Sequence, residues 1–383
     1  MKKIFYWSPY LSNVATIKNV LNSAMSMKKY NKNSLNISII DVVGEWSKYE
    51  KEIQALKINL IKMPGFKLDK FLPIEGFLKS RTVFFLIFFF KFFSLRKIIK
   101  NEKPEYFIIH LLSFLPFTLM IFSNFETRFI LRISGLPKLT ILRKLFWKII
   151  SKKIYMVTCP SYKTKLDLLK TGIFPEKILK ILYDPIIDVD KINKNLMKTN
   201  KYNFSDKKYF LNIGRLTKQK NQLLLLKAFS KISNSNKDLN LVIVGEGEER
   251  SKLESYIKSK NLGTKVFLVG YTENVYPLIK KSIAIISSSL WEDPGAVMIE
   301  ASYCNKNVIS SNCPNGPEEF LSSESGNYLF RNNDVVSLVS KINSFLKDDE
   351  NKKFLQILSC KKKSRNYTIF KHYKRLVLLL KLN

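Results

Sequence analysis

Two carboxylates, Glu292 and Glu300, have seven residues between them in a stretch that reads Ser-Ser-Ser-Leu-Trp-Glu-Asp-Pro-Gly-Ala-Val-Met-Ile-Glu over 287–300. An ionised carboxylate only accepts hydrogen bonds, which suits it to grip the paired hydroxyls of a sugar. Pro294-Gly295 breaks the chain before a helix that starts near Ala296, so the Gly295, Ala296 and Val297 amides face the end of a strand. Two cations, Arg215 and Lys220, follow Gly214 and flank the entrance to the apolar helix pattern 222–232. Fixed cations beside a helix N-terminus suit a diphosphate, through charge-assisted hydrogen bonds and the helix dipole. Each group also has a plainer reading. Arg215 and Lys220 can form a solvated basic loop, Glu292 an N-cap, and Glu300 an exposed helix residue. A third segment, 307–319, is a strand followed by a Pro-Asn-Gly-Pro turn and an acidic helix start.

These groups need a scaffold that ends its strands beside them. Short apolar runs at 4–7, 37–41, 106–110, 129–133 and 154–159 alternate with longer amphipathic segments, and so do runs at 209–213, 241–244, 266–269, 283–287 and 307–310. Strands alternating with helices of this length mean parallel sheets built from crossover units, an α/β protein. Two sets of five strands predict two doubly wound domains, divided as 1–190 and 191–383, with a final helix over about 366–383. The polar, Lys/Asn-rich stretch 184–206 is the candidate hinge. The chain has 13 glycines, about half the ~7% average share, so their positions inform. Gly214, Gly245, Gly247 and Gly270 fall at or just after strand ends, where open α/β sheets bind ligands and backbone amides approach a phosphate. The nucleotide site is therefore expected in the second half.

Composition narrows the classes. With 46% hydrophobic residues over 383 positions the chain can bury two cores, which excludes disorder as its main state. Four cysteines, none in a C-x-x-C pair, exclude a disulfide scaffold and a zinc knuckle. The formal charge is +34, spread along the whole length in a chain dominated by Lys, Asn, Ile and Phe. Part of that charge reflects AT-rich codons, and what remains favours anionic surfaces. Zinc-finger spacing, an RNP-like segment and a basic helix-turn-helix are all missing, so nucleic acid is not the expected partner. The run 83–93 is nearly all aromatic and aliphatic, has Lys91 in its middle and is flanked by Lys79, Arg81, Arg96 and Lys97. Spanning a bilayer takes ~20 apolar residues, so it lies on an anionic membrane surface or packs as a buried helix. No signal peptide is read at the start, and the expected location is the cytoplasmic face of a membrane.

The three motif segments, in this order and spacing, resemble the C-terminal domain of the retaining glycosyltransferases of family 4, which have the GT-B fold. The resemblance is strong over about 205–320 and architectural elsewhere. It rests on Glu292 and Glu300 for the Glu-x7-Glu pattern, on Gly214, Arg215, Gln219 and Lys220 for the Gly-Arg…Gln-Lys segment, and on Gly245-Glu246-Gly247. It implies two Rossmann-like domains facing a cleft, with the final helix crossing back to the first. It also implies that Arg215 and Lys220 hold a donor diphosphate, Glu292 meets the transferred sugar and Glu300 binds the ribose. The Gly295, Ala296 and Val297 amides would hold sugar or phosphate oxygens. Trp291-Glu292-Asp293-Pro294-Gly295, Trp7-Ser8-Pro9-Tyr10 and 131–137 are similar to the subgroup that assembles bacterial polysaccharide and lipopolysaccharide.

The first half departs further from the family. Its glycine-rich first loop is replaced by 8–14, leaving Ser12 and Asn13 as candidate polar contacts. His110 resembles the family's histidine near the donor sugar, or is a satisfied structural residue. Arg132 binds an anionic acceptor, or pairs with an acid. Asp188-Val189-Asp190 mimics a metal clamp of another glycosyltransferase fold but falls in the candidate hinge. The resemblance thus implies a metal-independent, cofactor-free transferase. Its donor is a nucleotide-diphosphate sugar, UDP favoured, and its acceptor a lipid-linked glycan. An epimerase or phosphorylase on the same fold is the alternative, and a basic nucleic-acid-binding protein a distant one.

Overall fold

The computed structural model describes the chain except for residues 12–14, 32–34, 73–76, 134, 136–138, 199–201, 203, 205, 323–327 and 383. It divides into two compact units. Unit 1 comprises Met1–Pro185 with Ile369–Asn383, and unit 2 comprises Ile186–Thr368.

Unit 1 is built on seven parallel strands: β1 (Lys2–Trp7), β2 (Leu35–Asp41), β3 (Asn59–Lys62), β4 (Tyr106–Ile109), β5 (Arg128–Arg132), β6 (Met156–Cys159) and β7 (Leu179–Ile181). Their order is β3-β2-β1-β4-β5-β6-β7, so the winding reverses between β1 and β4. In register, Ile4 sits beside Ile37 on one side and Tyr106 on the other. The central strands are buried on both faces, as a sheet covered by helices on both sides requires. One core holds Phe5, Trp7, Phe107 and Leu131, and the other holds Ile4, Tyr6, Ile108 and Ile130, so alternate residues of each strand feed opposite faces.

Unit 2 has six parallel strands: β8 (Lys208–Ile213), β9 (Leu239–Val244), β10 (Val266–Gly270), β11 (Ala284–Ser287), β12 (Val308–Ser311) and β13 (Leu329–Phe330). Their order is β10-β9-β8-β11-β12-β13, and the reversal falls between β8 and β11. Its core is carried by Phe210, Leu241, Ile243, Ile286 and Ile309, with Leu225 and Phe229 of the helix Gln222–Ile232.

Two expectations are corrected, the strand number and the division at 191–383. The sheets have seven and six strands rather than five each, and the additional ones (β3, β7 and β13) are all at edges. The candidate hinge, within which the chain passes from unit 1 to unit 2, also contains the helix Val189–Leu196, where Asp188 is the N-cap and accepts from the Lys191 amide at 3.3 Å. The chain leaves unit 1 at Pro185 and returns at Ile369, so the division 191–383 is corrected, while the final helix lies with the first unit as the resemblance implied. The helix Ile369–Leu380 packs on the helix Ala15–Tyr30. There the Ser23 hydroxyl meets His372 Nε2 at 2.8 Å, Phe370 stacks edge-on against Tyr30, and Leu376 and Leu380 join the core.

The aromatic run belongs to the helix Phe77–Glu102, and its two sequence readings each describe one face. Ile87, Lys91, Leu95 and Ile99 recur every four residues and are buried. Lys91 is satisfied inside: its ammonium donates to the Pro64 carbonyl at 2.7 Å and the Phe66 carbonyl at 3.3 Å, with the Phe66 ring 4.9 Å away. Burial pushes this lysine down from its ordinary pKa, against the opposing pull of Glu45 and Asp41. Phe88 and Phe92 lean partly on the core, while Phe85, Phe89, Phe90 and Phe93 are exposed. Among the described residues, no helix is long and apolar enough to cross a membrane.

Candidate functional site

In unit 2 the winding reverses between β8 and β11, which is where an open parallel sheet leaves a crevice at its carboxyl ends. The loops after β8, β9 and β11 are joined there backbone to backbone. The Leu216 amide donates to the Glu246 carbonyl at 2.9 Å, and the Leu290 amide donates to Gln219 at 2.8 Å. The Gly214 amide donates to Val244, and Gly245 to Gly270. A Cβ on Gly245 would sit 1.9 Å from the Gly214 carbonyl oxygen, so only glycine lets the two loops come this close. Gly247 is held in the same way against the Leu216 carbonyl. Gly295 has φ +92°, a left-handed turn that suits glycine, and it caps the helix Ala296–Tyr303. The amides of Ala296 and Val297 are in the first turn of that helix, whose early N–H groups have no helical partner.

The charged side chains converge on this frame. Lys220 Nζ reaches Glu292 Oε1 at 2.5 Å, and the Ser289 hydroxyl donates to the same oxygen at 2.6 Å. The pair is half-sheltered, with Lys220 21% and Glu292 10% exposed in their side chains, so it is oriented yet reachable. Ser289 is held through its own carbonyl, which accepts from the Ser311 hydroxyl at 2.5 Å. The lysine loop is tied down as well: Ser288 Oγ donates to the Lys220 carbonyl at 2.9 Å, and Gln219 Nε2 to the Trp291 carbonyl at 3.0 Å. The guanidinium of Arg215 is exposed, while its carbonyl accepts from Gln222 Nε2 at 3.0 Å. Glu300 lies one turn inside the helix that Gly295 caps, and accepts from the Tyr276 hydroxyl at 2.9 Å. Burial, with Glu300 next, drives the Tyr276 phenol far above its ordinary pKa, so it stays a donor.

The structure thus gathers Gly214, Lys220, Gly245, Gly247, Glu292 and Gly295 around the linked strand ends. Sequence reasoning assigned no role to Ser289 or Tyr276. Ser289 lies inside the Ser-Ser-Ser run, a signal that was available. Tyr276 stands 24 residues before the carboxylate it meets, and only the fold joins them.

His110 directly follows β4 and Arg132 ends β5 in unit 1, and their surroundings differ. Arg132 forms a buried ion pair with Asp184 and donates to the Leu182 carbonyl at 2.7 Å, so of its two sequence readings the acid pair is the one formed. His110 stacks on Tyr6 and lines a small cavity of about 10 Å³ together with Ser23, Arg132, Thr158, Asp184 and His372. Both its ring nitrogens are out of solvent contact and have no hydrogen-bond partner, and neither does the Thr158 hydroxyl. Burial, then the charge of Arg132, holds the His110 pKa well below its usual range, so the ring is neutral. A cavity of that size has room for about one water molecule. Ser12 and Asn13 lie outside the described residues. Asp188 is occupied as a helix cap, and no cluster of three or more His, Cys, Asp or Glu side chains suited to a metal occurs among the described residues.

Residues 194–361 match the family described as "Glycosyl transferases group 1". An uncharacterized glycosyltransferase of Methanocaldococcus jannaschii is 32% identical over 260 residues, covering 61% of this chain and 61% of that protein. The N-acetylgalactosamine-N,N'-diacetylbacillosaminyl-diphospho-undecaprenol 4-alpha-N-acetylgalactosaminyltransferase of Campylobacter jejuni is 27% identical, covering 61% of this chain and 64% of that one. The matches thus span under two thirds of either relative. Among solved structures, Anabaena HepE in complex with UDP superposes with a TM-score of 0.76 at 13% identity over the whole of both chains. The fold is that of the GT-B glycosyltransferases: two Rossmann-like units, each with its own parallel sheet.

Proposed function

We propose that this chain, which carries a group 1 glycosyl transferase domain over 194–361, moves a hexose or N-acetylhexosamine from a nucleotide-diphosphate sugar to a saccharide acceptor with retention of configuration. The observation that carries the reading is the Lys220–Glu292 pair, set on glycine-bound loops where the winding of unit 2 reverses. A cation and a carboxylate in contact are each other's placeholder. When a donor binds, Lys220 exchanges Glu292 for the diphosphate, and Glu292 is released to take a sugar hydroxyl. Arg215, exposed at the same loop, supplies the second cation. Gly295, Ala296 and Val297 offer backbone amides to phosphate or sugar oxygens at a helix start. Glu300, held by Tyr276, is the acceptor for the ribose hydroxyls.

Charge builds on the diphosphate as the sugar leaves. Pre-oriented cations and amides stabilise that charge without reorganising, which is the main catalytic contribution of the site. They also do the work of a divalent metal, so the reading is metal-independent. UDP as the carrier is supported by its presence in the similar Anabaena structure. The name of the Campylobacter relative specifies a saccharide on diphospho-undecaprenol, and this supports a lipid-linked acceptor here, in surface polysaccharide or lipopolysaccharide assembly at the cytoplasmic face of a membrane. The test is to incubate purified protein with a panel of UDP- and GDP-sugars and measure nucleotide release with and without a lipid-linked saccharide. Release from one donor, stimulated by acceptor, is the expected result. No release from any donor would overturn the reading.

A further inference from the structure

Outside the site, unit 1 carries an apolar face made by three helices: Phe77–Glu102, Phe114–Phe122 and Ile141–Ser151. On the first, Phe85, Phe89 and Phe93 recur every four residues, and Phe93 is 75% exposed. On the third, Ile141 and Leu142 are 78% and 80% exposed. The three helices form one surface, because Phe114 of the second touches both Phe88 of the first at 5.2 Å and Phe146 of the third at 5.2 Å. Contiguous apolar surface on this scale marks an interaction site in a monomer.

Charge identifies the partner. The three helices contain one acidic residue, Glu102, at the very end of the first. Arg81, Lys97, Arg143, Lys144 and Lys148 are all exposed around the aromatic and aliphatic side chains. A second copy of this chain would bring the same basic surface against itself, which opposes a dimer through this face. An anionic bilayer complements both features at once: headgroups meet the lysines and arginines, and the rings enter the acyl boundary. Among the described residues no helix is long and apolar enough to cross a bilayer, so docking through this face would be monotopic.

We propose that the three-helix face of unit 1 is a monotopic docking surface for anionic lipid. The proposal goes beyond the transferase reading and does not rest on it. It refines the aromatic run into a two-sided helix: Lys91, Phe88 and Phe92 hold unit 1 together, and Phe85, Phe89 and Phe93 insert.

The test is sedimentation of the full chain with vesicles of phosphatidylcholine containing phosphatidylglycerol, and with phosphatidylcholine alone, alongside the melting temperature of each variant. The wild-type chain should bind the anionic vesicles. At high salt binding should weaken yet persist, because ring insertion is not screened. Phe89→Asp with Phe93→Asp, and separately Leu142→Asp, should each reduce binding by on the order of tenfold while leaving the melting temperature within a few degrees. Lys144→Ala with Lys148→Ala should reduce it on the order of tenfold at low salt and little at high salt. Phe88→Asp should instead lower the melting temperature. Wild-type binding by the Leu142 and Phe89/Phe93 variants would overturn the proposal. So would a chain that ignores vesicles and sediments as a dimer these substitutions disrupt, or that ignores them and stays monomeric. Nucleotide release plays no part in this readout, so failure of the transferase reading stays distinguishable.

Discussion

Both units are parallel α/β sheets with one reversal of winding, and both hold a cation–carboxylate pair near the carboxyl ends of their strands. In unit 2 these are Lys220 and Glu292, 21% and 10% exposed; in unit 1 they are Arg132 and Asp184, 3% and 6% exposed. The first pair is sheltered enough to be oriented and open enough to change partners. The second is shut in, with a further guanidinium N–H donated to the Leu182 carbonyl and with His372 and Leu376 of the helix Ile369–Leu380 lining the same cavity. The same ion chemistry thus gives an accessible pair, the proposed donor site, in one unit and a structural clasp in the other. What separates them is access to solvent, which residue type does not specify.

The largest effect should come from breaking the clasp. Asp184→Ala leaves a buried guanidinium without its counter-charge, which costs about 3–5 kcal/mol. Thermal or urea unfolding followed by tryptophan fluorescence suits the measurement, since Trp7, Trp46 and Trp147 lie in unit 1 and only Trp291 in unit 2. Lys220→Ala should shift the same transition by less than about 1 kcal/mol, since its partner keeps the Ser289 hydroxyl and contact with solvent. Equal destabilisation by the two variants would erase the distinction between clasp and site.

Turnover should show the reverse pattern. Glu292→Gln and Lys220→Ala should each lower it by about 10²–10³-fold, the usual loss when an oriented group facing transition-state charge is removed. Near-wild-type rates in both would remove the site from unit 2. Ser289→Ala, which only positions Glu292, should lower turnover less and leave donor affinity nearly unchanged.

Acid should act on unit 1 first, since both histidines of the chain, His110 and His372, are in it. Burial, chiefly, lowers the His372 pKa from 6.5 to about 3. Between those values the unfolded chain holds a proton that the folded one excludes, so stability rises with pH across that window and is lost as pH falls through it. His110 acts in the same direction. Each such proton contributes a slope of at most about 1.4 kcal/mol per pH unit. His372→Gln should flatten the acid limb of unit 1 stability between pH 6.5 and 3, whatever it does to stability at pH 7. An unchanged slope would mean that the carboxylates alone set the acid limb.

How much of this was legible in the sequence follows from the same contrast of access. The central strands announced themselves because burial on both faces demands continuous apolar runs, as in Leu241-Val242-Ile243-Val244. β3 (Asn59–Lys62) and β13 (Leu329–Phe330) did not, being short and half-exposed at sheet edges, where one covered face suffices. Lys220, Glu292 and the glycines were legible as local motifs on loops. Lys91 was not, since its solvation by the Pro64 and Phe66 carbonyls is tertiary and a lysine amid phenylalanines reads as a surface charge. The return of 369–383 to unit 1 was implied only by the family resemblance, since it rests on contacts such as Ser23 with His372, 349 residues apart, which no local pattern encodes.

The smallest expected effect is none at all. If the cations of unit 2 replace a divalent metal at the donor diphosphate, activity should be unchanged by a chelator such as EDTA and not raised by manganese or magnesium. Lys220 pairs with Glu292 and Arg215 is exposed on the same loop, so on the proposed reading two positive charges would meet the diphosphate in place of a metal. The Asp-x-Asp sequence at 188–190 offers the obvious competing ligands, but Asp188 spends its carboxylate on the amide that opens the helix Val189–Leu196. Asp188→Ser keeps that cap and removes the charge. It should therefore leave both the fold and turnover as they were. Activity lost in EDTA, regained with manganese and abolished by Asp188→Ser would move the diphosphate chemistry from Arg215 and Lys220 to a metal held by the segment at the start of unit 2.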